Sequence, residues 1–89
     1  MELERDVERY LIKQVEKQGG LCLKFGQDGW PDRIVLLPNG RVIWVELKRR
    51  EGSWSDLQRY RARQLADVGQ DVRLAWDVWD VDKIIKGST

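Results

Sequence analysis

Asp32, Glu46 and Lys48 are the residues whose types and spacing could perform chemistry, and all three lie in the stretch GWPDRIVLLPNGRVIWVELKRR, residues 29–50. Two short apolar runs in it read as paired strands, with an Asp just before the first and Glu-Leu-Lys ending the second. Side chains alternate across a strand, so Glu46 and Lys48 share one face with Trp44 while Ile43, Val45 and Leu47 point to the other. Pro38-Asn39-Gly40 has Pro, Asn and Gly where a type I turn with a glycine bulge wants them, which predicts a three-residue hairpin loop. Residue 37 then pairs with 41 and, counting back, Asp32 falls opposite Glu46 on the same face. A two-residue Asn39-Gly40 turn would bring Arg33 to that place instead, so the register tests the site.

Two close carboxylates repel unless a cation sits between them, and an oxygen-only ligand set suits Mg²⁺, which keeps several waters in an octahedral shell. A phosphate could complete that shell. A metal there would lower the pKa of a bound water, while Lys48 would orient or help deprotonate that water and offset charge in the transition state. The bland reading of the same three residues is a set of cross-strand ion pairs on a solvated face. Other chemistries are narrowed by composition: Cys22 is the only cysteine and there is no histidine. An intramolecular disulfide, zinc sites of the Cys/His type and Ser-His or Cys-His nucleophilic pairs are thereby excluded.

The elements that must position these residues follow from periodicity. Leu3, Val7, Leu11 and Val15 repeat at helical spacing, joined by Tyr10 and Ile12, and Gly19-Gly20 ends the run. Strands are predicted over 21–25, 33–37 and 42–48, the first two separated by Gly26-Gln27-Asp28-Gly29 and Pro31. Residues 55–68 read as a second helix ended by Gly69, 72–76 as a fourth strand and 78–85 as a last helix, with 87–89 as a flexible tail. The order αβββαβα predicts an α/β domain over 1–86, one mixed sheet flanked by helices.

At 89 residues the core must be thin, so ligand binding or dimerisation would add stability. Sixteen Lys and Arg nearly balance fifteen Asp and Glu, but residues 41–63 hold seven basic side chains against three acidic ones. Such a local excess can meet a polyanion despite a net charge of +1. No apolar run approaches the roughly 20 residues needed to span a bilayer, and Glu2 to Glu8 is too charged for a secretory signal, so an intracellular protein with no membrane partner is expected.

Three positions break the helical patterns. On the first helix Glu8 falls between Val15 and Ile12 inside the apolar stripe, with Glu4 in the same arc; a carboxylate there must be paired, metal-linked or able to reach solvent. On the second, Gln58 and Arg61 share the face of Leu57, Ala62, Leu65 and Val68. Ser55-x-x-Gln58 is a capping box, and Arg61 is either a buried salt-bridge partner or a phosphate contact. Of five tryptophans, Trp76 and Trp79 are expected in the core, whereas Trp30 and Trp54 fall in loops where they could line a cleft or stack on bases.

Glu8 in Val-Glu-Arg-Tyr-Leu, Gly19-Gly20, Lys24, Gly29-Trp30-Pro31-Asp32-Arg33, Val45-Glu46-Leu47-Lys48, Ser55-x-x-Gln58 and the Gly69 step together resemble the virus-type replication-repair nuclease (VRR-NUC) family of the PD-(D/E)xK nuclease superfamily, over residues 4–86. The resemblance is to stand-alone phage and bacterial members and implies a restriction-endonuclease-like fold. It further implies a phosphodiesterase using Mg²⁺ or Mn²⁺, with Asp32, Glu46 and the Leu47 carbonyl as ligands, Lys48 as catalytic lysine, Gln58 as a supporting site residue, and Glu8 reaching the metal from the helix. Glu4 is the second choice for that last role. Stand-alone members are similar to Holliday junction resolvases, which work as dimers, so a homodimer acting on branched DNA in the cytoplasm of a bacterial or phage-infected cell is implied. Lys24, Arg49, Arg50, Arg59, Arg61 and Arg63 are the candidate nucleic-acid contacts. Trp30, where an aliphatic residue is common, and the short loop before Pro31-Asp32 depart from the family pattern. A non-catalytic DNA-binding or oligomerisation module on the same fold is the alternative, and a structural protein whose acidic cluster is a salt-bridge network the third reading.

Overall fold

The computed structural model describes residues 3–49 and 52–87. Its elements are α1 (Glu4–Lys17), β1 (Leu21–Lys24), β2 (Arg33–Leu36), β3 (Val42–Leu47), α2 (Asp56–Asp67), β4 (Asp71–Ala75) and α3 (Val78–Lys86). The strands form one sheet in the order β1-β2-β3-β4. β1–β2 and β2–β3 are antiparallel and β3–β4 is parallel, joined through α2, so the sheet is mixed as the element order predicts.

The hairpin between β2 and β3 closes as the Pro-Asn-Gly sequence demands. Gly40 takes φ +82°, its amide donates to the Leu37 carbonyl at 3.0 Å, and the Leu37 amide donates to the Arg41 carbonyl at 2.9 Å. Glycine accepts that left-handed backbone without a Cβ penalty. The register that results pairs Leu36 with Val42 and Arg33 with Val45.

The pleat then sorts the side chains. Val35, Ile43, Val45 and Leu47 are buried on one face, together with Val7, Leu11 and Val15 of α1 and Val81 and Ile84 of α3. Each fully buried member contributes roughly 1.5–3 kcal/mol through removal from water. Tyr10 ties the two helices together by donating to Asp82 at 2.8 Å. α2 lies on the opposite face, packed against β4, and its start is fixed by the predicted capping box: the Ser55 hydroxyl accepts from the Gln58 amide at 3.1 Å and Gln58 Oε1 accepts from the Ser55 amide at 2.9 Å. Gly87 closes α3 with φ +78°, while residues 88–89 of the expected tail lie outside the described residues. Among the described residues no helix is long and apolar enough to cross a membrane.

The expectation for two tryptophans is overturned. Trp79 is 71% exposed and Trp76 38% exposed. Val81 and Ile84 are the buried positions of α3, and residue 79, two steps before Val81, projects from nearly the opposite side of the helix.

Candidate active site

The register carries Asp32, one residue before β2, to the place across from Glu46 on β3. The Asp32 carbonyl continues the ladder by accepting from the Phe25 amide at 2.9 Å, and its side-chain Oδ2 accepts from the Leu47 amide at 2.8 Å. Glu46 is 3% exposed, and its Oε1 is buried without a hydrogen-bond partner among the described residues. Burial first, then a hydrogen bond to Asp32 and the Asp32 charge, with a smaller push from Glu4, together raise the Glu46 carboxyl from its ordinary value near 4.5 to about 8 against the opposing pull of Lys48. Asp32, Glu46 and Lys48 are therefore brought together, as the three-residue loop predicts.

This donor set fits a hard divalent cation. A buried carboxylate oxygen with no partner is costly, and a cation between the two carboxylates would relieve both the missing contact and the like-charge repulsion. Among the described residues no group of three or more Asp, Glu, Cys or His is arranged to hold a metal. The residues available are Asp32, Glu46 and a backbone carbonyl such as that of Leu47, leaving room for water, the shell Mg²⁺ commonly accepts.

Glu8 sits elsewhere than a bare ligand would. Its Oε2 accepts from Arg33 Nε at 2.8 Å, and Arg33 also donates to the Cys22 carbonyl at 3.3 Å. The carboxylate in the α1 stripe is thus satisfied by a cation on β2. Alternation contained the clue, since residue 33 must face α1 if Asp32 faces away. Even so, Glu8 lines a cleft of about 380 Å³ that also includes Asp32, Lys24, Trp30 and Gln58, so α1, β1 and α2 all contribute to its walls. A larger hollow of about 530 Å³ at the hairpin end, lined by Gln18, Pro38, Arg41 and Lys86 among others, contains no carboxylate.

The cleft is held in shape by a contact that sequence reasoning missed. Gly29 has φ +82°, and a Cβ there would lie 2.4 Å from Leu57 Cγ, so the loop before Asp32 presses directly on the first turn of α2. Next to it, Trp30 meets Phe25 edge-on at 6.3 Å and Trp44 at 6.5 Å. The Arg61 guanidinium lies 4.8 Å over the Trp30 ring and donates to Gln64 at 2.8 Å, while its Nε is buried without a partner among the described residues. Gln58 spends its side-chain oxygen on the cap yet borders the cleft. Lys24, Arg49, Arg59 and Arg63 are exposed; Arg50 lies outside the described residues.

No family model matches the chain, but two known proteins resemble it along nearly its whole length. A protein named "Putative nuclease p44" from Acyrthosiphon pisum secondary endosymbiont phage 1 is 35% identical over 85 residues, spanning 92% of this chain and 90% of its own length. A solved structure described as "VRR_NUC domain" superposes with a TM-score of 0.82 at 30% identity, covering 93% of this chain and 94% of that one. The chain belongs to the VRR-NUC family. The VRR-NUC fold accounts for the αβββαβα order and the mixed sheet flanked by helices, and the domain is of nuclease type.

Proposed function

We propose that this VRR-NUC domain is a metal-dependent DNA endonuclease, structure-selective for branched DNA and working as a homodimer. The observation that supports it best is the Asp32–Glu46 pair, with the buried Glu46 Oε1 lacking a partner among the described residues next to Lys48, whose charge acts on that carboxyl. Asp32, Glu46 and the Leu47 carbonyl would hold Mg²⁺ or Mn²⁺, with Glu8, or Glu4, reaching toward it through water. The ion when bound supplies Lewis acidity toward a phosphodiester and its attacking water.

The rest of the chemistry belongs to the chain. The Lys48 ammonium orients the water and offsets charge that develops on the phosphate. Gln58 lends its amide nitrogen, which the cap leaves unused, to the cleft wall. Lys24, Arg49, Arg50, Arg59, Arg61 and Arg63 hold backbone phosphates, contacts that position a duplex without reading its sequence and so favour selection by shape.

Cleavage of a labelled four-way junction, with linear duplex and flap controls, in Mg²⁺, Mn²⁺ or EDTA, tests this. Symmetric metal-dependent nicking is expected for the intact protein and none for Glu46→Ala, while Lys48→Ala should bind and not cut. The pairing of Glu8 with Arg33 favours a second reading, a module that binds DNA without cutting it, because it leaves two carboxylates for a metal. Binding without cleavage in every metal would establish that reading and remove the first.

A further inference from the structure

Arg61 is a cation without a counter-ion. It lies on α2 one turn beyond Gln58, which borders the cleft. Among the described residues the ion pairs are Glu8–Arg33 and Asp71–Arg73, no carboxylate pairs with Arg61, and its Nε is buried without a hydrogen-bond partner. Of the five N–H donors that a guanidinium carries, Gln64 Oε1 takes one at 2.8 Å. Drawing part of a charge out of water on these terms is unfavourable unless something else compensates it.

What compensates it is aromatic. The guanidinium carbon stands 4.8 Å from the centroid of the Trp30 ring and 5.5 Å from that of Tyr60, both within the roughly 6 Å at which a ring face attracts a cation. Gln64, which accepts from Arg61, also donates to the Tyr60 hydroxyl at 3.4 Å, so α2 itself supplies one side of the slot. Trp30 brings the other side from the loop before β2. Its backbone amide donates to the Gln27 carbonyl at 3.2 Å, and its ring is braced by Phe25 and Trp44, which meet each other edge-on at 5.3 Å. A free arginine side chain samples many rotamers; this one is fixed by a loop and a helix at once.

We propose that Trp30 is a positioning residue, whose ring holds the Arg61 guanidinium beside the cleft to receive a phosphate of the bound strand next to the one that Asp32, Glu46 and Lys48 would address. Trp30 lines the cleft with Asp32 and Gln58, while Arg61 stands a turn further along α2, which places its phosphate to one side of the acidic pair. Attraction to ring faces offsets the charge without consuming N–H groups, and Arg61 is only half-buried, so its accessible donors are left for phosphate oxygens. This rests on the reading that the cleft binds DNA and adds the residue that fixes one of its phosphate contacts.

Equilibrium binding of the full chain to a labelled duplex in EDTA, across a range of NaCl concentrations, tests it with no strand cut. Each phosphate contact contributes about 0.9 to the slope of log affinity against log salt on B-DNA. Arg61→Gln should lower the slope by about that amount. Trp30→Leu, which fills space without a ring face, should lower it equally although Arg61 is intact. Trp30→Phe should restore it, and the double variant Trp30→Leu/Arg61→Gln should lose no more than either single one. In the ¹⁵N-labelled wild type, where no folding defect can intervene, the Arg61 Nε–H resonance, assigned by its loss in Arg61→Gln, should move when duplex is added. A Trp30→Leu protein with a lowered melting temperature but the wild-type slope would make Trp30 merely structural and overturn the proposal. A wild-type slope in Arg61→Gln, additive losses in the double variant, or an Nε–H resonance that ignores DNA would overturn it as well. Cleavage in Mn²⁺ is scored separately: cutting with unchanged slopes removes the Trp30–Arg61 contact and keeps the nuclease reading, whereas the expected slopes without cutting keep the contact and remove that reading.

Discussion

Asp32 stands opposite Glu46 at the head of β2, and its Oδ2 accepts a 2.8 Å hydrogen bond from the Leu47 amide. The bond aims one carboxylate along β3 while the other stays buried beside it, so under the proposed function the pair, and not either residue alone, would be the unit of metal affinity. Asp32→Asn keeps an acceptor for the Leu47 amide but loses the charge. Thermal melts with and without Mn²⁺ should show stabilisation of the wild type by roughly 10–20 °C at about a hundred times the dissociation constant, and almost none in Asp32→Asn. An unchanged metal response in the variant would remove Asp32 from the ligand set.

Glu46 sets a pH dependence. Its folded pKa is raised from 4.5 to about 8 by burial first and Asp32 second, so the folded protein holds a proton that the unfolded chain releases. Metal-free stability from this group is complete below about pH 4.5 and is lost as pH climbs to about 8, falling by about 1.4 kcal/mol for each step of one in pH between those limits. Urea denaturation of wild type and Glu46→Gln in EDTA should diverge across that window, by a total on the order of a few kcal/mol, with the variant flatter. Protection by Mn²⁺ should grow over the same window, because the ion competes with the proton.

Glu8 and Arg33 form a part-buried ion pair at 2.8 Å. Removing one partner strands the other, at a cost of about 1–3 kcal/mol. Glu8→Gln should therefore lower the melting temperature in EDTA, whereas Glu4→Gln, on an exposed side chain, should not. Equal melting temperatures would mean that Glu8 is not structural and is available to a metal.

The Gly29 contact gives a steric prediction. Gly29→Ala combines a left-handed backbone with a Cβ 2.4 Å from Leu57 Cγ and should cost at least about 1 kcal/mol. Adding Leu57→Ala should recover only part of that loss, since the backbone penalty persists. Full recovery in a double-mutant cycle would assign the whole effect to the clash.

Local chemistry makes much of this legible in the sequence. Pro38-Asn39-Gly40 specifies the turn, the turn specifies the register, and the register brings Asp32 to Glu46; the Ser55/Gln58 cap and the glycine helix ends are equally local. What cannot be read are the contacts between elements distant in the chain. That Glu8 needs a partner follows from its place in the stripe, but only the approach of α1 to β2 identifies Arg33. Gly29 shows its function only once Leu57 is beside it. The exposure of Trp79 reflects which side of a short helix meets the core, a choice made by Val81 and Ile84.

Pro38 has a further effect on how the chain finds its fold. Asn39-Gly40 by itself is a strong two-residue turn, and closing on it would pair residue 38 with Arg41, slipping β2 by one and sending Val35 to the wrong side of the sheet. Proline has no amide hydrogen to offer Arg41 in that hairpin. An incorrect strand pairing is thus disfavoured during folding by a residue that forms no part of the cleft, and the meeting of two carboxylates depends on a missing N–H at the far end of the same hairpin.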